Sequence, residues 1–187
     1  MFVVRDALPA DAAALAEAHL QGWRVGYRGV VPDSYLDSPE FASQRHATWH
    51  AWTWNQHGRS ACFAVEVDGR VMGFGLCGPA RAEPACDQGE GTAEAEGRGE
   101  VYAFYLHPDA WGSGAATPLM ARCTDWLRDQ GYPSALLWVL RDNPRARAFY
   151  EKAGWQPTGT EGVFDGPQTA SSLPYSIAEV EYAISLC

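Results

Sequence analysis

The junction between a strand and a helix at residues 101–120 constrains the fold of this chain most. Residues 101–106, VYAFYL, are apolar on both sides of the strand alternation, which is typical of a strand inside a sheet. Residues 112–116, GSGAA, carry almost no side chains and lead into a helical pattern. The first turn of a helix has unpaired N–H groups and the positive end of the helix dipole, so small residues there let an anion reach the backbone. The glycines are also consistent with a tight turn that binds nothing.

A second strand and a second helix follow in the same order. Residues 134–140, SALLWVL, predict a buried strand. Asn143 and Pro144 predict the N-cap and the first residue of a helix, and Gly154 suits the left-handed residue that ends it. Strands that alternate with helices in this way favour an α/β or α+β fold, with a mixed sheet and helices on both faces.

The front of the chain is predicted to be mostly helical. Residues 2–7 predict a short first strand, and residues 8–23 predict an alanine-rich helix. Ser38 and Pro39 predict the N-cap and the first-turn proline of the helix that follows them.

Three further segments complete the prediction. Asp68 and Gly69 separate two apolar runs and favour an antiparallel hairpin with a tight turn. Residues 79–100 have no periodicity and are rich in acidic residues, which predicts a mobile acidic loop. Residues 180–185, VEYAIS, predict a last strand.

Composition argues against several classes of function. The net charge of −9 is opposite to the basic face that binding to nucleic acid or an anionic membrane requires. The five cysteines form no CxxC pair and are odd in number, which indicates reduced thiols. No segment approaches the roughly 18 apolar residues of a membrane span. We therefore expect a soluble, cytoplasmic protein, and no linker divides its 187 residues into two domains.

Residues 101–155 resemble the acetyl-CoA core of the GNAT superfamily of N-acetyltransferases, with its motifs in order and at the expected spacing. More loosely, residues 19–36 resemble the helix pair that lines the acceptor site in many bacterial members. The resemblance implies a mixed, mainly antiparallel twisted sheet in a single domain over 1–187, with acceptor-side helices at 1–60 and an acetyl-CoA-binding core at 99–158. It also implies transfer of an acetyl group from acetyl-CoA to a primary amine of a small molecule or a peptide.

The resemblance assigns the cofactor site. Backbone N–H groups of residues 112–117 correspond to those that hold the pyrophosphate of coenzyme A, although Trp111 replaces the polar residue that opens the family's loop pattern. Residues 104–106 correspond to the strand end that pairs with the pantetheine arm. The implied cofactor-binding residues are Phe104, Tyr105, Leu106, Gly112, Ser113, Gly114, Ala115, Ala116, Thr117, Asn143, Ala146, Phe149 and Tyr150. Arg141, Arg145 and Arg147 suit either the phosphates or a solvated helix face.

Catalysis is expected to involve Tyr150 and Glu100. On spacing alone Tyr150 is best interpreted as a core aromatic residue, but the surrounding family pattern makes it the candidate general acid that protonates the departing thiolate. Glu100, at the start of a strand, is a candidate general base, and a solvated carboxylate is the alternative interpretation. Tyr102 is an alternative that relays the proton through water.

The acceptor side is expected to contain aromatic residues. Trp23, Tyr27 and Tyr35 match the region that covers the substrate cleft in the family, and packing between the front helices explains each of them equally well. With Tyr102 they form the predicted substrate-binding set. A homodimer is common in the family and is predicted here by analogy.

Two alternative functions use other features of the sequence. A protein of the same fold could bind acyl-CoA without transferring the acyl group and act as a sensor or an interaction module. A metal site built on His46, His50 and His57 lacks a further ligand at suitable spacing, so no metal is expected.

Overall fold

The computed structural model describes residues 1–51, 59–81, 94–164 and 177–187. Within these ranges the chain forms one sheet of seven strands. The strands are β1 (Phe2–Asp6), β2 (Ala61–Val67), β3 (Arg70–Arg81), β4 (Glu94–Leu106), β5 (Ser134–Leu140), β6 (Gln156–Phe164) and β7 (Ile177–Ser185). Their order in the sheet is β1-β2-β3-β4-β5-β7-β6.

Helices cover both faces of this sheet. They are α1 (Ala12–Gly26), α2 (Asp33–Leu36), α3 (Pro39–Ala51), α4 (Ala116–Asp129) and α5 (Pro144–Lys152), with short 3-10 turns at Pro9–Asp11 and Pro108–Ala110. Successive positions along β3 contact helices on opposite faces of the sheet. The Phe74 ring packs against His19 of α1 at 5.5 Å between centroids, whereas a Cβ on Gly75 would lie 2.5 Å from Cys123 Sγ of α4. The predicted fold class, a mixed and mainly antiparallel sheet between helices, is confirmed.

One pair of neighbouring strands is parallel, and its two strands stay paired over three positions only. β4 pairs with β5 only from Gly99–Ala135 to Val101–Leu137, while every other neighbouring pair among the described strands is antiparallel. A β-bulge lies where this pairing stops, because Leu76 and Cys77 of β3 pair with Ala103 and Val101 and leave Tyr102 as the extra residue of β4. A bulge bends its strand. The rest of β4 therefore diverges from β5 and opens a gap between them.

The local signals of the front half are confirmed. Ser38 Oγ accepts the N–H of Phe41 at 3.1 Å, as an N-cap does. Asp68 and Gly69 form the predicted hairpin turn between β2 and β3, with φ angles of 50° and 78°. The predicted strand at 2–7 and the predicted helix at 8–23 correspond to β1 and α1.

The predicted mobile loop at 79–100 is wrong at both of its ends. Residues 79–81 belong to β3 and residues 94–100 belong to β4, and Arg81 pairs with Glu94. Residues 82–93 lie outside the described residues. These ends pair with each other as β3 and β4 extend toward residues 82–93, and the acidic composition of the segment does not reveal this pairing. β6 was not predicted at all, because it is a mostly exposed edge strand of glycine and polar residues.

The substitution Gly73→Ala tests the close approach of β3 to β4. A Cβ at this position would lie 2.6 Å from the carbonyl oxygen of Tyr105 and 2.8 Å from Leu106 Cγ, so the β4 backbone would have to move. We expect urea unfolding to show a free energy of unfolding lower by about 1–3 kcal/mol. Gly26→Ala is the control because, apart from its chain neighbours and the backbone of its own helix, no atom lies within 4 Å of its Cβ position, and it should leave stability unchanged or slightly higher. Equal stability of the two variants would contradict the close approach.

Candidate active site

A cleft of about 440 Å³ opens where β4 and β5 diverge. It is bounded by α1, β4, the loop that leads into α4, β5, α5 and the last two strands. The predicted site residues that line it are Trp23, Tyr27, Tyr102, Phe104, Tyr105, Leu106, Gly112, Gly114, Ala116, Thr117, Asn143, Ala146, Phe149 and Tyr150. The other four predicted residues do not line it; they are Tyr35, Glu100, Ser113 and Ala115. The structure thus brings most of the two predicted sets together around one cleft.

The glycine loop presents backbone donors to the cleft. Gly112 and Gly114 have φ angles of 76° and 89°, which side chains disfavour, and a Cβ on Gly112 would meet no atom within 4 Å. Ser113 Oγ accepts the N–H of Ala115 at 3.2 Å and so fixes the loop. Within the described part of the chain, the N–H groups of Gly112, Gly114 and Ala116 donate to no other residue. Three donors at the start of α4 therefore suit an anionic group.

Trp111 and Arg145 form a contact at the edge of this loop. Trp111 Nε1 donates to the carbonyl oxygen of Leu106 at 3.0 Å, and Arg145 Cζ lies 3.7 Å from the centroid of the Trp111 ring. Arg145 lines the cleft and makes no ion pair with another described residue. A cation is thus held on an aromatic face beside the three backbone donors.

Helix α5 places a tyrosine hydroxyl in the cleft. Asn143 Oδ1 accepts the N–H of Ala146 at 3.1 Å, which confirms the predicted N-cap, and Phe149 stacks on Phe104 with ring centroids 5.6 Å apart. Tyr150 is buried, and its hydroxyl hydrogen-bonds to no other described residue. Burial raises the pKa of Tyr150 well above that of an ordinary tyrosine, and the nearby Cys123 raises it further. The hydroxyl therefore keeps its proton.

Glu100 lies in a buried ion pair. Its carboxylate is 2% exposed, accepts the backbone N–H and Nε–H of Arg81 at 2.8 and 3.1 Å, and forms a shorter contact with the same guanidinium. Arg81 lines the cleft and lies 4.7 Å from the centroid of the Tyr102 ring. The Tyr102 hydroxyl in turn donates to the carbonyl oxygen of Pro79. This geometry favours charge compensation of Arg81 over proton transfer by Glu100.

Three aromatic residues join at the α1 side of the cleft. Trp23 Nε1 donates to the hydroxyl of Tyr105 at 3.0 Å, and the Tyr27 hydroxyl lies 2.9 Å from the same oxygen. The side chain of Tyr105 therefore faces the predicted acceptor side, although the resemblance placed this residue with the cofactor. Tyr35 packs on Phe41 with ring centroids 5.0 Å apart, as in the alternative interpretation of helix packing.

Several residues that line the cleft were missed by sequence reasoning. They are Arg81, Trp138, Phe164 and Glu179, together with smaller residues of β4, β5 and α1. Glu179 stands one residue before the predicted strand 180–185, and Phe164 belongs to β6. Period-2 alternation along an extended last strand is the one signal that could have placed Glu179 on the same face as Glu181.

The histidine alternative gains no geometric support from the described residues. His46 and His50 lie on α3, and His57 lies outside the described residues. In the described ranges, no three side chains of His, Cys, Asp or Glu are arranged to hold a metal ion. None of the helices in those ranges combines the length and the apolar character that a membrane crossing requires.

Comparison with known proteins shows the family of this chain. A model of the acetyltransferase (GNAT) family matches residues 30–155, which is more than half of the chain. The chain is 30% identical to an uncharacterized N-acetyltransferase, YuaI, of Bacillus subtilis (strain 168), over 77% of this chain and 75% of that protein. It is 36% identical to the mycothiol acetyltransferase of Thermobifida fusca (strain YX), over 50% of this chain and 28% of that protein. The match thus spans under a third of the mycothiol enzyme.

Solved structures show the same fold. An N-acetyltransferase from Staphylococcus aureus Mu50 superimposes with a TM-score of 0.70 at 20% identity, over 100% of this chain and 99% of that one. The PaiA N-acetyltransferase from Thermoplasma acidophilum, solved in complex with coenzyme A, gives a TM-score of 0.68 at 14% identity, over 99% of both chains. The protein belongs to the GNAT family of acetyltransferases, as the sequence resemblance implied. It is an acyltransferase, and acetyl-CoA is the cofactor of its family.

The substitution Glu100→Ala tests the role of the buried ion pair. Because Arg81 would be left as a buried charge without this partner, we expect the free energy of unfolding to fall by about 3–5 kcal/mol in urea titrations. Asp125→Ala is the control, since it breaks an exposed ion pair with Arg128 and should have a small effect. The double variant Arg81→Met, Glu100→Leu should recover most of the loss. A stable Glu100→Ala variant would contradict the structural role and favour Glu100 as a base.

Proposed function

We propose that this protein transfers the acetyl group of acetyl-CoA to a primary amine of a small molecule or a peptide, by direct attack with both substrates bound. The observation that carries the proposal is the cleft between β4 and β5. It meets the bare start of α4 at one end and the hydroxyl groups of Tyr27 and Tyr105 at the other, with Tyr150 also in its lining. Two substrates that enter from opposite ends can therefore meet beside Tyr150.

The residues at one end of the cleft fit coenzyme A. The free N–H groups of Gly112, Gly114 and Ala116, with the cation of Arg145, suit a pyrophosphate. Ser113 shapes this loop through its hydrogen bonds, and Asn143 fixes the start of α5. The edge of β4 at residues 104–106 pairs with no strand on the side of β5, so it can receive the amide groups of an extended arm. The remaining predicted contacts are Ala115, Thr117, Ala146 and Phe149.

Tyr150 supplies the proton in the proposed reaction. When bound, acetyl-CoA supplies a thioester whose acyl group a neutral amine can attack. The thiol that leaves has a pKa near that of cysteine, about 8.5, so a protonated hydroxyl nearby assists its departure. The raised pKa of Tyr150 keeps that hydroxyl protonated. A backbone N–H near Leu106 is the proposed donor to the thioester oxygen.

The route of the proton that leaves the amine has two candidates. Glu100 remains a prediction as general base, and its ion pair with Arg81 argues against it. Tyr102 lines the cleft and remains the predicted relay through water. Trp23, Tyr27 and Tyr35 remain the proposed acceptor side, with Tyr35 acting through its packing. A single domain over 1–187, a cytoplasmic location and a homodimer also remain predictions.

A second candidate function is favoured by the position of Glu100. No carboxylate other than that of Glu179 lines the described cleft, and Glu100 is neutralised by Arg81. A protein of this family that binds acetyl-CoA without transfer would act as a sensor or an interaction module. Binding without turnover, over a broad panel of amines, would favour this function.

The substitution Tyr150→Phe separates the two functions. If the hydroxyl is the acid, kcat should fall about 100-fold or more, while the Kd for acetyl-CoA stays nearly constant, since the ring remains. Thiol release measures kcat, and calorimetry measures Kd. Tyr132→Phe, outside the lining of the cleft, is the matched control and should keep full activity. Unchanged kcat in Tyr150→Phe would remove Tyr150 from the mechanism.

The substitutions Trp111→Ala and Arg145→Gln test the cofactor end of the cleft. Each should raise the Kd for coenzyme A about tenfold, because each removes one partner of the cation–π contact between Arg145 and Trp111, which lies beside the proposed pyrophosphate donors. The effect of Arg145→Gln should shrink as salt is added. Arg141→Gln removes a positive charge just before the same helix, outside the cleft lining, and is the control. Equal losses of affinity for coenzyme A in Arg141→Gln and Arg145→Gln would indicate a general electrostatic attraction rather than a specific contact of Arg145.

A further inference from the structure

Tyr182 of β7 forms hydrogen bonds with two residues of helix α5. Its side chain is fully buried, and it lies opposite Leu137 of β5 in the antiparallel register. The Tyr182 hydroxyl donates to Oε1 of Glu151 at 2.8 Å and accepts the Nε–H of Arg147 at 3.1 Å. Residues four apart in a helix are neighbours on the same side of it. A single buried hydroxyl therefore connects one turn of α5 to the sheet.

Tyr150, the proposed acid, belongs to that turn. It directly precedes Glu151 in the chain, and its ring centroid lies 6.3 Å from that of Tyr182. The hydroxyl of Tyr150 lies at the cleft and hydrogen-bonds to no other described residue, whereas that of Tyr182 bonds to Glu151 and Arg147. Tyr182 therefore acts on Tyr150 through the position of the helix and not by exchanging a proton with it.

Other contacts of α5 restrain its position less sharply. Among its nine residues, all of which are described, Tyr150 alone is buried, and a helix this short depends on packing for its stability. The stack of Phe149 on Phe104 is an apolar contact, which has little directional preference. In the described part of the chain, the side-chain hydrogen bonds that join α5 to a strand both involve Tyr182. These bonds fix both a distance and an angle.

The proposed acid requires such a restraint. Proton transfer needs the donor and acceptor atoms within hydrogen-bonding distance, and a misplacement of about 1 Å lowers a rate about 100-fold. Because the Tyr150 hydroxyl has no hydrogen-bond partner of its own among the described residues, the backbone of α5 sets where it lies.

We propose that Tyr182 is a positioning residue for Tyr150: its hydroxyl holds α5 at the depth and rotation at which the Tyr150 hydroxyl meets the departing thiol. This inference rests on the proposed acetyl transfer. Tyr182 lies outside the lining of the cleft and touches neither substrate in this proposal.

The substitution Tyr182→Phe removes the hydroxyl and keeps the ring. We expect kcat to fall about tenfold, while the Kd for coenzyme A stays constant. In a Tyr150→Phe background, Tyr182→Phe should cause no further loss of kcat, because its effect passes through the Tyr150 hydroxyl. Thr158→Val is the matched control, since it removes a hydroxyl that bonds to the β7 backbone at Glu181 instead of to α5, and it should keep full activity. A general loss of structure would lower kcat in both backgrounds and weaken binding of coenzyme A, and either result overturns the inference.

Variants of Glu151 test the other end of the same hydrogen bond. Glu151 is exposed, so we expect its variants to fold, and they decide the question if Tyr182→Phe does not fold. Glu151→Ala should reproduce the loss of kcat, whereas Glu151→Gln keeps an acceptor oxygen and should retain most of the activity. Equal activity of Glu151→Ala and Glu151→Gln overturns the inference.

NMR of protein labelled at its tyrosine rings reports the position of Tyr150 without turnover. The Tyr150 signal is identified by its absence in Tyr150→Phe. We expect saturating coenzyme A to shift this signal in the parent and in Thr158→Val, and to shift it much less in Tyr182→Phe and Glu151→Ala. No shift in the parent, or the same shift in all four proteins, overturns the inference even where acetyl transfer is observed. A shift that depends on Tyr182, in a parent that acetylates no amine, supports the positioning of Tyr150 and overturns the transfer function.

Discussion

The bulge at Tyr102 is the constraint on which the site depends. It adds one residue to β4 at the point where pairing with β5 ends, and the bend that follows separates two strands that would otherwise share hydrogen bonds. A continuous parallel pair here would close the cleft and use the edge of β4 within the sheet. Because the strands diverge, the backbone of residues 104–106 faces the cleft, and the start of α4 lies at one end of it.

Electrostatics in the cleft is local and does not follow the net charge of the chain. The protein carries a charge of −9, yet the start of α4 offers backbone donors, and Arg145 of α5 places a cation beside them on the Trp111 ring. The charge of Arg81, at the end of β3, is neutralised by its buried ion pair with Glu100, so Arg81 contributes little net charge to the cleft. Glu179 of β7 also lines the cleft. The cleft therefore has a local positive region in a protein of net negative charge.

Sequence patterns predicted the local elements of this fold well and the long-range ones poorly. Caps and turns depend on a few neighbouring residues, so Ser38, Asn143 and the hairpin at Asp68 were found where predicted. The ends of β3 and β4 were assigned to a loop, and β6 was not predicted, because pairing with another strand, rather than their own composition, decides whether such polar segments become strands. The same reason hid Glu179, which enters the cleft only through its register with β5.

The sequence by itself determined the class of the protein and carried the motifs on which the proposed cofactor end depends. Residues 112–117 and the helix that starts after Asn143 are contiguous motifs, and their spacing alone orders backbone donors and Tyr150 along the chain. Tertiary structure decided the surroundings of Glu100 and Glu179. Glu100 is neutralised by a guanidinium from another strand, whereas Glu179 is carried into the cleft by β7. The role of a carboxylate depends on the charges and the solvent around it, and contacts between residues far apart in the chain set both.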